Sequence, residues 1–415
     1  MPGIYARAIG AAVVVIEHRY FGGSSPYDGL NAETLQYLTL EQAALDLVNF
    51  AQNIKFRFDS NQSSIASKAP WVYYGASYSA TLGNWLERFH QGVFHAYHLS
   101  SATIEATADN WYYYDTIRKG IDSYRKDTSC SSTLNEIVDY VDSFLLSPDR
   151  NETKVKALKQ YFGALYPIYP IDDDDFAYAL ATPFHYWEET NGYREILDLC
   201  NVVVDSWESE EHDILGTIPA SVVNFAAYWR MNFRDSNPLN PFYTARTLGN
   251  PWRTRLWFLC NEPLASWGVA APENQPTIVS RKIDAEYFLR QCERHFPAIN
   301  GKQYGSSKGK TPQSLNELTG GWSKAGRRVI YTSGEFDPWR GVGMASEVRP
   351  GGPLRSSDDV AVFVIKGAQF AADRLSARGM NNLGLPANQE VVKVQEAAVE
   401  ILKGWLDDWK ATSKR

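Results

Sequence analysis

The sequence predicts an α/β protein in which a doubly wound, mostly parallel sheet is interrupted by a long helical insertion. Three observations predict this fold class. Short β-branched runs alternate with helical patterns near the N-terminus, and similar runs return near the C-terminus. Between them lie roughly 190 residues whose apolar positions mostly recur at helical spacing.

The N-terminal elements follow one another in the order that such a fold requires. Ala11–Glu17 (AAVVVIE) is an almost continuous apolar run, typical of a parallel strand buried on both faces. Leu40–Ile54 repeats apolar residues at helical spacing, and Thr39 before it can cap the helix. The next predicted elements are a strand, a helix and a strand: Trp71–Tyr74 (WVYY), Ala80–His90 and Phe94–Ser101.

The C-terminal part repeats this alternation. Arg328–Thr332 (RVIYT) and Val360–Ile365 (VAVFVI) predict two more buried strands, and Asn388–Trp409 predicts a closing helix with one apolar face. We therefore expect the first part of the sheet domain in residues 1–115, the helical insertion in 116–310, and the second part of the sheet domain in 311–415.

Composition and charge exclude several classes of protein. Apolar residues make up 44% of the 415 residues, which indicates a large core rather than disorder. The net charge of −7 is diffuse and no basic cluster indicates nucleic acid. The longest apolar run, Ala8–Ile16, is about half of the ~20 residues that span a membrane. The acidic run of the chain, Ile171–Asp175, is interpreted as a solvated loop, with a cation site as the alternative.

No cofactor or metal site is predicted. The cysteines lack the C-x-x-C spacing of a zinc site. Gly305–Thr311 approaches a phosphate-binding loop, but Tyr304 stands where the first glycine belongs and no buried strand precedes it. We interpret that segment as a flexible surface loop.

Cysteines and sequons favour an oxidising compartment. An even number of cysteines fits two disulfides, although four buried thiols would give the same count. Asn61 and Asn151 begin N-x-S/T sequons. The chain shows no signal-peptide pattern.

The stretch Gly75–Ser79 (GASYS) directly follows a predicted strand and precedes a predicted helix. A nucleophile elbow needs a serine on that turn, with very small residues two positions before and after it. Ser77 then becomes the candidate nucleophile, and the Tyr78 backbone N–H a candidate oxyanion donor. The alternative is an ordinary Ser/Gly turn.

A candidate acid follows the predicted strand Arg328–Thr332. Asp337 lies in a tight loop there, and the order serine, acid is that of this type of hydrolase. The alternative is an Asx turn before Pro338.

Together these motifs resemble the prolyl carboxypeptidase and dipeptidyl peptidase II family of serine exopeptidases, in the form common among fungi. The residues that carry the resemblance extend over essentially the whole chain: Glu17–Gly22 with Ser24–Pro26, Tyr37–Gln42, Gly75–Ala80, Ser100–Ala102, Pro276–Arg281 and Asp337–Trp339.

The resemblance implies an α/β-hydrolase core with a helical cap, and cleavage of short peptides after proline. It makes Ser77 the nucleophile and Asp337 the acid of the triad. It also implies an extracellular, vacuolar or lysosomal protein whose partners are short proline-containing peptides; a homodimer is compatible with it. The disulfides that it implies are Cys260 with Cys292, which leaves Cys130 with Cys200.

Two features depart from the family pattern. The histidine loop of the family reads roughly G-G-x-H-C-x-D, whereas Gly367–Asp373 reads GAQFAAD, so that Phe370 stands at the histidine position. All seven histidines precede Asp337; we expect His18 to be structural, with a cap histidine such as His185 or His295 as the alternative base. Only 16 residues precede Glu17, so we also expect N-terminal strands of the family to be missing.

Two functions therefore stay open at the level of sequence. One is an active serine exopeptidase. The other is a non-catalytic homologue that retains the fold and the peptide pocket. An esterase or lipase is a third interpretation, and it rests on the elbow alone.

Overall fold

A computed structural model describes residues 3–163, 172–190, 192–205, 208–233, 251–263, 267–376 and 388–412. The chain divides into two compact units. The first comprises Met1–Ala108, Arg246–Ser266 and Cys292–Arg415, and the second comprises Asp109–Ala245 and Trp267–Gln291. Residues 246–266 and 292–310, which we expected in the helical insertion, thus belong to the first unit.

The strands of the described part of the chain are β1 (Val72–Ala76), β2 (Ala96–Ser100), β3 (Glu211–Asp213), β4 (Gly216–Ile218), β5 (Val329–Gly334) and β6 (Val360–Ile365). Within that part, the first unit contains a four-stranded parallel sheet in the order β1-β2-β5-β6. Its register pairs Gly75 with Leu99, Ser100 with Thr332, and Gly334 with Ile365. A short antiparallel pair, β3 and β4, lies in the second unit.

Helices account for most of the remaining regular structure. Those N-terminal to residue 150 are α1 (Gly3–Ile9), α2 (Leu40–Asn53), α3 (Tyr78–Phe89), α4 (Tyr112–Arg125) and α5 (Ser129–Leu145). The next are α6 (Glu152–Phe162), α7 (Asp173–Leu180), α8 (Thr182–His185), α9 (Gly192–Asp205) and α10 (Ala220–Phe233). The last are α11 (Pro251–Asn261), α12 (Ala285–His295), α13 (Pro312–Thr319) and α14 (Asn388–Thr412). None of these described helices is long and apolar enough to cross a membrane.

Helices cover both faces of the sheet, as the sequence predicts. On one face α3 approaches so closely that a Cβ on Gly83 would lie 2.4 Å from the Tyr73 ring. On the other face, Leu402 and Trp405 of α14 belong to the same core cluster as Ile330 of β5. The predicted closing helix is therefore confirmed.

Helix α2 confirms the predicted cap. The hydroxyl of Thr39 accepts a hydrogen bond from the Gln42 backbone N–H at 3.2 Å, which satisfies one of the N–H groups left open at a helix start.

Ala11–Glu17 is not a strand, so that prediction is wrong. The segment has no regular structure, and Val15 is 84% exposed. A strand exists only where a neighbouring strand accepts and donates its backbone hydrogen bonds. Among the residues that the structure describes, none pairs with this segment, and an apolar pattern alone cannot supply that neighbour.

The acidic run is also not the loop that we predicted. Ile171 lies outside the described residues, but Asp172 precedes α7 and Asp173–Asp175 form its first turn. Carboxylates are favourable there because the helix macrodipole is positive at its N-terminus. Asp173 also forms ion pairs with Arg150 and Lys159.

The disulfides form as the resemblance implied. Cys130 of α5 is bonded to Cys200 of α9, and Cys260 of α11 to Cys292 of α12. Each bond lies within one unit.

Candidate active site

Ser77 lies on a strained turn between β1 and α3. Its backbone adopts φ 59° and ψ −131°, a conformation that non-glycine residues rarely occupy. Two positions earlier, a Cβ on Gly75 would lie 2.5 Å from the Ser79 carbonyl oxygen. The close passage of strand and helix therefore requires glycine at that position.

Ser79 takes the place where a second glycine is commoner, and its side chain explains why. Its hydroxyl accepts a hydrogen bond from the Ala76 N–H at 2.9 Å and donates one to the Ala76 carbonyl at 2.8 Å. A serine at this position thus ties the two ends of the turn together.

The backbone around Ser77 is held by the neighbouring strand and by α3. The Ser77 N–H donates to the Ser100 carbonyl at the end of β2 (2.9 Å), and the Ser77 carbonyl accepts from the Ala80 N–H (2.9 Å). Tyr78 begins α3, and the first N–H groups of a helix have no acceptor within that helix. The start of α3 can therefore stabilise a negatively charged oxygen beside Ser77.

Asp337 lies just beyond the C-terminal end of β5 and is completely buried. Its Oδ1 accepts a hydrogen bond from the Trp339 N–H at 3.0 Å, so the Asx turn that we considered as the alternative does form. The turn does not exclude a second role, because one carboxylate offers two oxygens.

The loop after β6 reaches the same edge of the sheet. The Phe336 N–H donates to the Ala368 carbonyl at 2.9 Å, and the Ala371 N–H donates to the Ser101 hydroxyl at 2.9 Å. This loop carries Gln369 and Phe370. Because the four strands are parallel, the elbow, Asp337 and this loop all follow the carboxyl ends of strands at one edge.

Of the seven histidines, His18 is the one bonded to the residue beside Ser77. Its Nε2 lies 3.1 Å from the Tyr78 hydroxyl, and its Nδ1 lies 2.8 Å from the Arg19 carbonyl oxygen. Burial lowers the pKa of His18 and thereby favours the neutral ring. Both ring nitrogens are thus engaged by groups other than Ser77.

The other histidines also lie at identifiable positions. His90 directly follows the last residue of α3, about 18 Å from the start of that helix at 1.5 Å per residue. His95 precedes β2, where its Nε2 contacts the Trp405 carbonyl oxygen at 2.6 Å. His185 contacts the Tyr114 hydroxyl at 3.1 Å, and His212 contacts Thr217 at 3.2 Å.

His295, the second histidine that we considered as an alternative base, ends α12 in the first unit. Burial, with Arg253 and Arg294 nearby, lowers its pKa to about 4. All seven histidines lie in the described part of the chain, and none of them forms a hydrogen bond with the Ser77 hydroxyl.

His98 belongs to a buried polar cluster that sequence reasoning missed. Its Nε2 lies 3.0 Å from Oδ2 of Asp373, which also accepts a hydrogen bond from the Thr332 hydroxyl at 2.8 Å. The other oxygen of Asp373 accepts from the Ser100 hydroxyl. Burial alone would raise the pKa of Asp373, but the bonds from His98, Ser100 and Thr332 lower it below its ordinary value.

This cluster cannot act as a catalytic triad. In a triad the imidazole lies between the hydroxyl and the carboxylate, so that it can take the proton from the serine. Here the Asp373 carboxylate lies between Ser100 and His98. The arrangement anchors the loop after β6 to β2 and β5.

Comparison with known proteins agrees with this fold and with the motifs. The family model described as "Serine carboxypeptidase S28" matches residues 2–392. The chain is 31% identical to "Serine protease vicPb" of Bipolaris victoriae, over 99% of the chain and 78% of that relative. It is 24% identical to a "Probable extracellular serine carboxypeptidase" of Arthroderma benhamiae, over 97% of the chain and 58% of the relative. It is 22% identical to the "Thymus-specific serine protease" of Mus musculus, over 99% of the chain and 77% of that relative. The chain therefore belongs to the serine carboxypeptidase S28 family, which has the α/β-hydrolase fold.

Proposed function

We propose that this member of the serine peptidase family binds short proline-containing peptides at the Ser77 edge of the sheet and does not hydrolyse them through a Ser–His–Asp triad. The proposal is supported by the loop after β6, which carries Gln369 and Phe370 at the position where the family resemblance places the catalytic histidine. All the histidines of the chain occupy other positions, and their described contacts are with groups other than the Ser77 hydroxyl.

The absence of a histidine base beside Ser77 would be decisive for peptide hydrolysis. A serine hydroxyl becomes an effective nucleophile only when a base takes its proton, and the same base later protonates the leaving amine. Phe370 can do neither, and the Gln369 amide does not titrate. In a well-studied unrelated protease, loss of the triad histidine lowers kcat by about 10⁶.

What is retained supports binding. The start of α3 offers N–H groups and a positive dipole end to a peptide carbonyl or terminal carboxylate. The elbow itself is intact, with Ser77 half-buried rather than closed off. The preference for proline is carried over from the family resemblance.

One observation favours the second candidate, an active serine exopeptidase specific for prolyl bonds. Ser77 keeps its strained backbone, which costs about 1–3 kcal/mol and persists in proteins mainly where function uses it. This candidate requires that a residue other than Phe370 accept the Ser77 proton.

Calorimetry and mass spectrometry on the same Xaa-Pro-Xaa peptides separate the two candidates. We expect measurable binding and intact peptide after long incubation, with weaker binding when alanine replaces proline. Cleavage that disappears in Ser77→Ala would establish the second candidate instead. If the peptides are neither bound nor cleaved, both candidates are rejected.

Phe370→His is the matched variant for this experiment. It restores an imidazole on the loop after β6, and we expect it to gain some turnover that the unaltered chain lacks. Turnover that is equal in the two proteins would contradict the proposed role of the missing histidine.

We also propose that the chain follows a secretory route. Both disulfides form in the structure, and disulfides persist mainly in oxidising compartments. Asn61 and Asn151 are exposed, and Asn151 caps α6 through its Oδ1, which leaves its amide nitrogen for a glycan. A mobility shift on glycosidase treatment, lost in Asn61→Gln/Asn151→Gln, tests this.

A further inference from the structure

An exposed apolar segment, residues 11–17, follows α1 and leads to His18. It reads AAVVVIE, and its first six residues include neither a charge nor a proline. Val13, Val14 and Val15 are 45%, 39% and 84% exposed. Contiguous exposed apolar side chains are uncommon on soluble proteins and tend to mark surfaces that bind another molecule.

The backbone of the apolar segment is also open. The Ala11 N–H donates to the Ala6 carbonyl oxygen at the end of α1 (2.8 Å), but the N–H and carbonyl groups of residues 12–16 form no hydrogen bond with any described residue. No residue of the segment has a positive φ, so each can adopt a strand conformation. An uncharged edge without proline is the kind that pairs with another chain.

Both ends of the apolar segment are anchored within the first unit. Before it, the Tyr5 hydroxyl of α1 donates to the Asp373 carbonyl oxygen at 3.2 Å. After it, Nε2 of His18 lies 3.1 Å from the Tyr78 hydroxyl. The segment is therefore held at the surface between two fixed points, which lowers the entropy cost of pairing with a partner.

The open edges of the sheet itself are better protected. At β1 the hydroxyl of Ser79 engages both the N–H and the carbonyl oxygen of Ala76. At β6 the Val362 N–H donates to the Ser356 hydroxyl at 3.0 Å, and Lys366 directly follows the strand. Covered backbone groups and nearby lysines disfavour edge-to-edge pairing, and the apolar segment has neither.

Two exposed charges flank the apolar segment and indicate the orientation of a partner strand. Arg7 lies in the last turn of α1, and its carbonyl oxygen accepts the Gly10 N–H, so it is close to Ala11. Glu17 lies at the other end. Neither side chain forms an ion pair with a residue that the structure describes. Two parallel copies of the segment would place Glu17 beside Glu17, whereas two antiparallel copies place it beside Arg7 of the second copy.

We propose that the apolar segment pairs antiparallel with the same segment of a second copy of this chain, about a two-fold axis at Val14. This register places Val13 opposite Val15 of the second copy. Ala11 then lies opposite Glu17 of the second copy, so that no like charges face each other. Each copy satisfies the open backbone of the other and covers its valines. The proposal does not rest on the function proposed for Ser77.

Sedimentation equilibrium tests the association. We expect a monomer–dimer equilibrium with a Kd on the order of 10 µM, because the paired surface is small. Val15→Lys should weaken dimerisation about tenfold or more, because the charge replaces an apolar cross-strand pair. Val364→Lys is the matched control: Val364 is 41% exposed on β6, and its replacement should leave the Kd unchanged. A chain that stays monomeric at about 200 µM, or a dimer that Val15→Lys does not weaken, would overturn the proposal.

A cross-link tests the register. The four native cysteines are all in disulfides, so Val14→Cys introduces a single free thiol. The two-fold axis brings the Cα atoms of position 14 to within about 4.5–5.5 Å of each other, which a disulfide can span. The two copies of position 11 would be about 20 Å apart. We therefore expect a covalent dimer from Val14→Cys under mild oxidation and none from Ala11→Cys. Equal yields from the two variants would overturn the proposal.

A charge exchange tests the antiparallel orientation. Arg7→Glu should weaken dimerisation about fivefold, because two attractive pairs of exposed charges become repulsive. Arg7→Glu combined with Glu17→Arg should return the Kd to that of the unaltered chain. A double variant that dimerises as weakly as Arg7→Glu alone would overturn the antiparallel pairing.

Discussion

Nε2 of His98 lies 3.0 Å from a carboxylate oxygen of Asp373, and both side chains are 1% exposed. His98 precedes by two residues the Ser100 carbonyl that accepts the Ser77 N–H. The loop after β6, in which we expected the histidine of a triad, therefore engages this one, through a carboxylate three residues after Phe370. The contact holds the loop in place rather than supplying a base.

Removing the Asp373 carboxylate should strongly destabilise the first unit. We expect Asp373→Ala to lower the free energy of unfolding by about 3–5 kcal/mol, because His98, Ser100 and Thr332 would lose their buried partner. Urea unfolding followed by tryptophan fluorescence measures this.

Asp46→Ala is the control for that variant. Asp46 forms an ion pair with Arg19 but is 45% exposed, so its removal should lower the free energy of unfolding by less than about 1 kcal/mol. Equal effects of the two substitutions would contradict the structural role of Asp373.

Gly75→Ala tests the elbow without touching Ser77. The new Cβ would lie 2.5 Å from the Ser79 carbonyl oxygen, so strand and helix must separate. We expect Gly75→Ala to lower the free energy of unfolding by about 1–3 kcal/mol, as measured by thermal unfolding. Gly404→Ala in α14 meets nothing within 4 Å and should instead stabilise by up to about 1 kcal/mol. If Gly75→Ala left the free energy of unfolding unchanged, strand and helix would pass less closely at this turn than the structure shows.

His295 should make stability depend on pH. Its pKa is about 4 in the folded protein, below the ordinary value of 6.5, chiefly because the ring is buried. Between these values the unfolded chain binds more protons, so the free energy of unfolding should rise with pH from about 4 to 6.5, by on the order of 1–3 kcal/mol.

The variant His295→Gln should flatten that part of the stability profile. His212→Gln is the control, because the His212 side chain is 67% exposed and should leave the profile unchanged. The Asp373 contribution is lost at lower pH, as the pH falls from its ordinary pKa of 3.8 through its lowered folded value, so the two effects separate. A profile that His295→Gln does not change would contradict the burial of this ring.

Local pattern was a good guide wherever neighbours in sequence decide the structure. The elbow Gly75–Ser79 follows from strand, turn and helix signals within about twenty residues, and the Thr39 cap from its own helix. Ala11–Glu17 failed because strand formation depends on a partner elsewhere in the chain. The Asp373 cluster was missed because Ser100 and Asp373 are 273 residues apart in sequence. Only the parallel sheet brings them together.

Labelling of the purified protein with a fluorophosphonate probe tests the central claim most directly. Such probes react with serines activated by a base, and the claim is that Ser77 has none. We predict no labelling of the unaltered chain and detectable labelling of Phe370→His. Robust labelling of the unaltered chain that disappears in Ser77→Ala would contradict the claim.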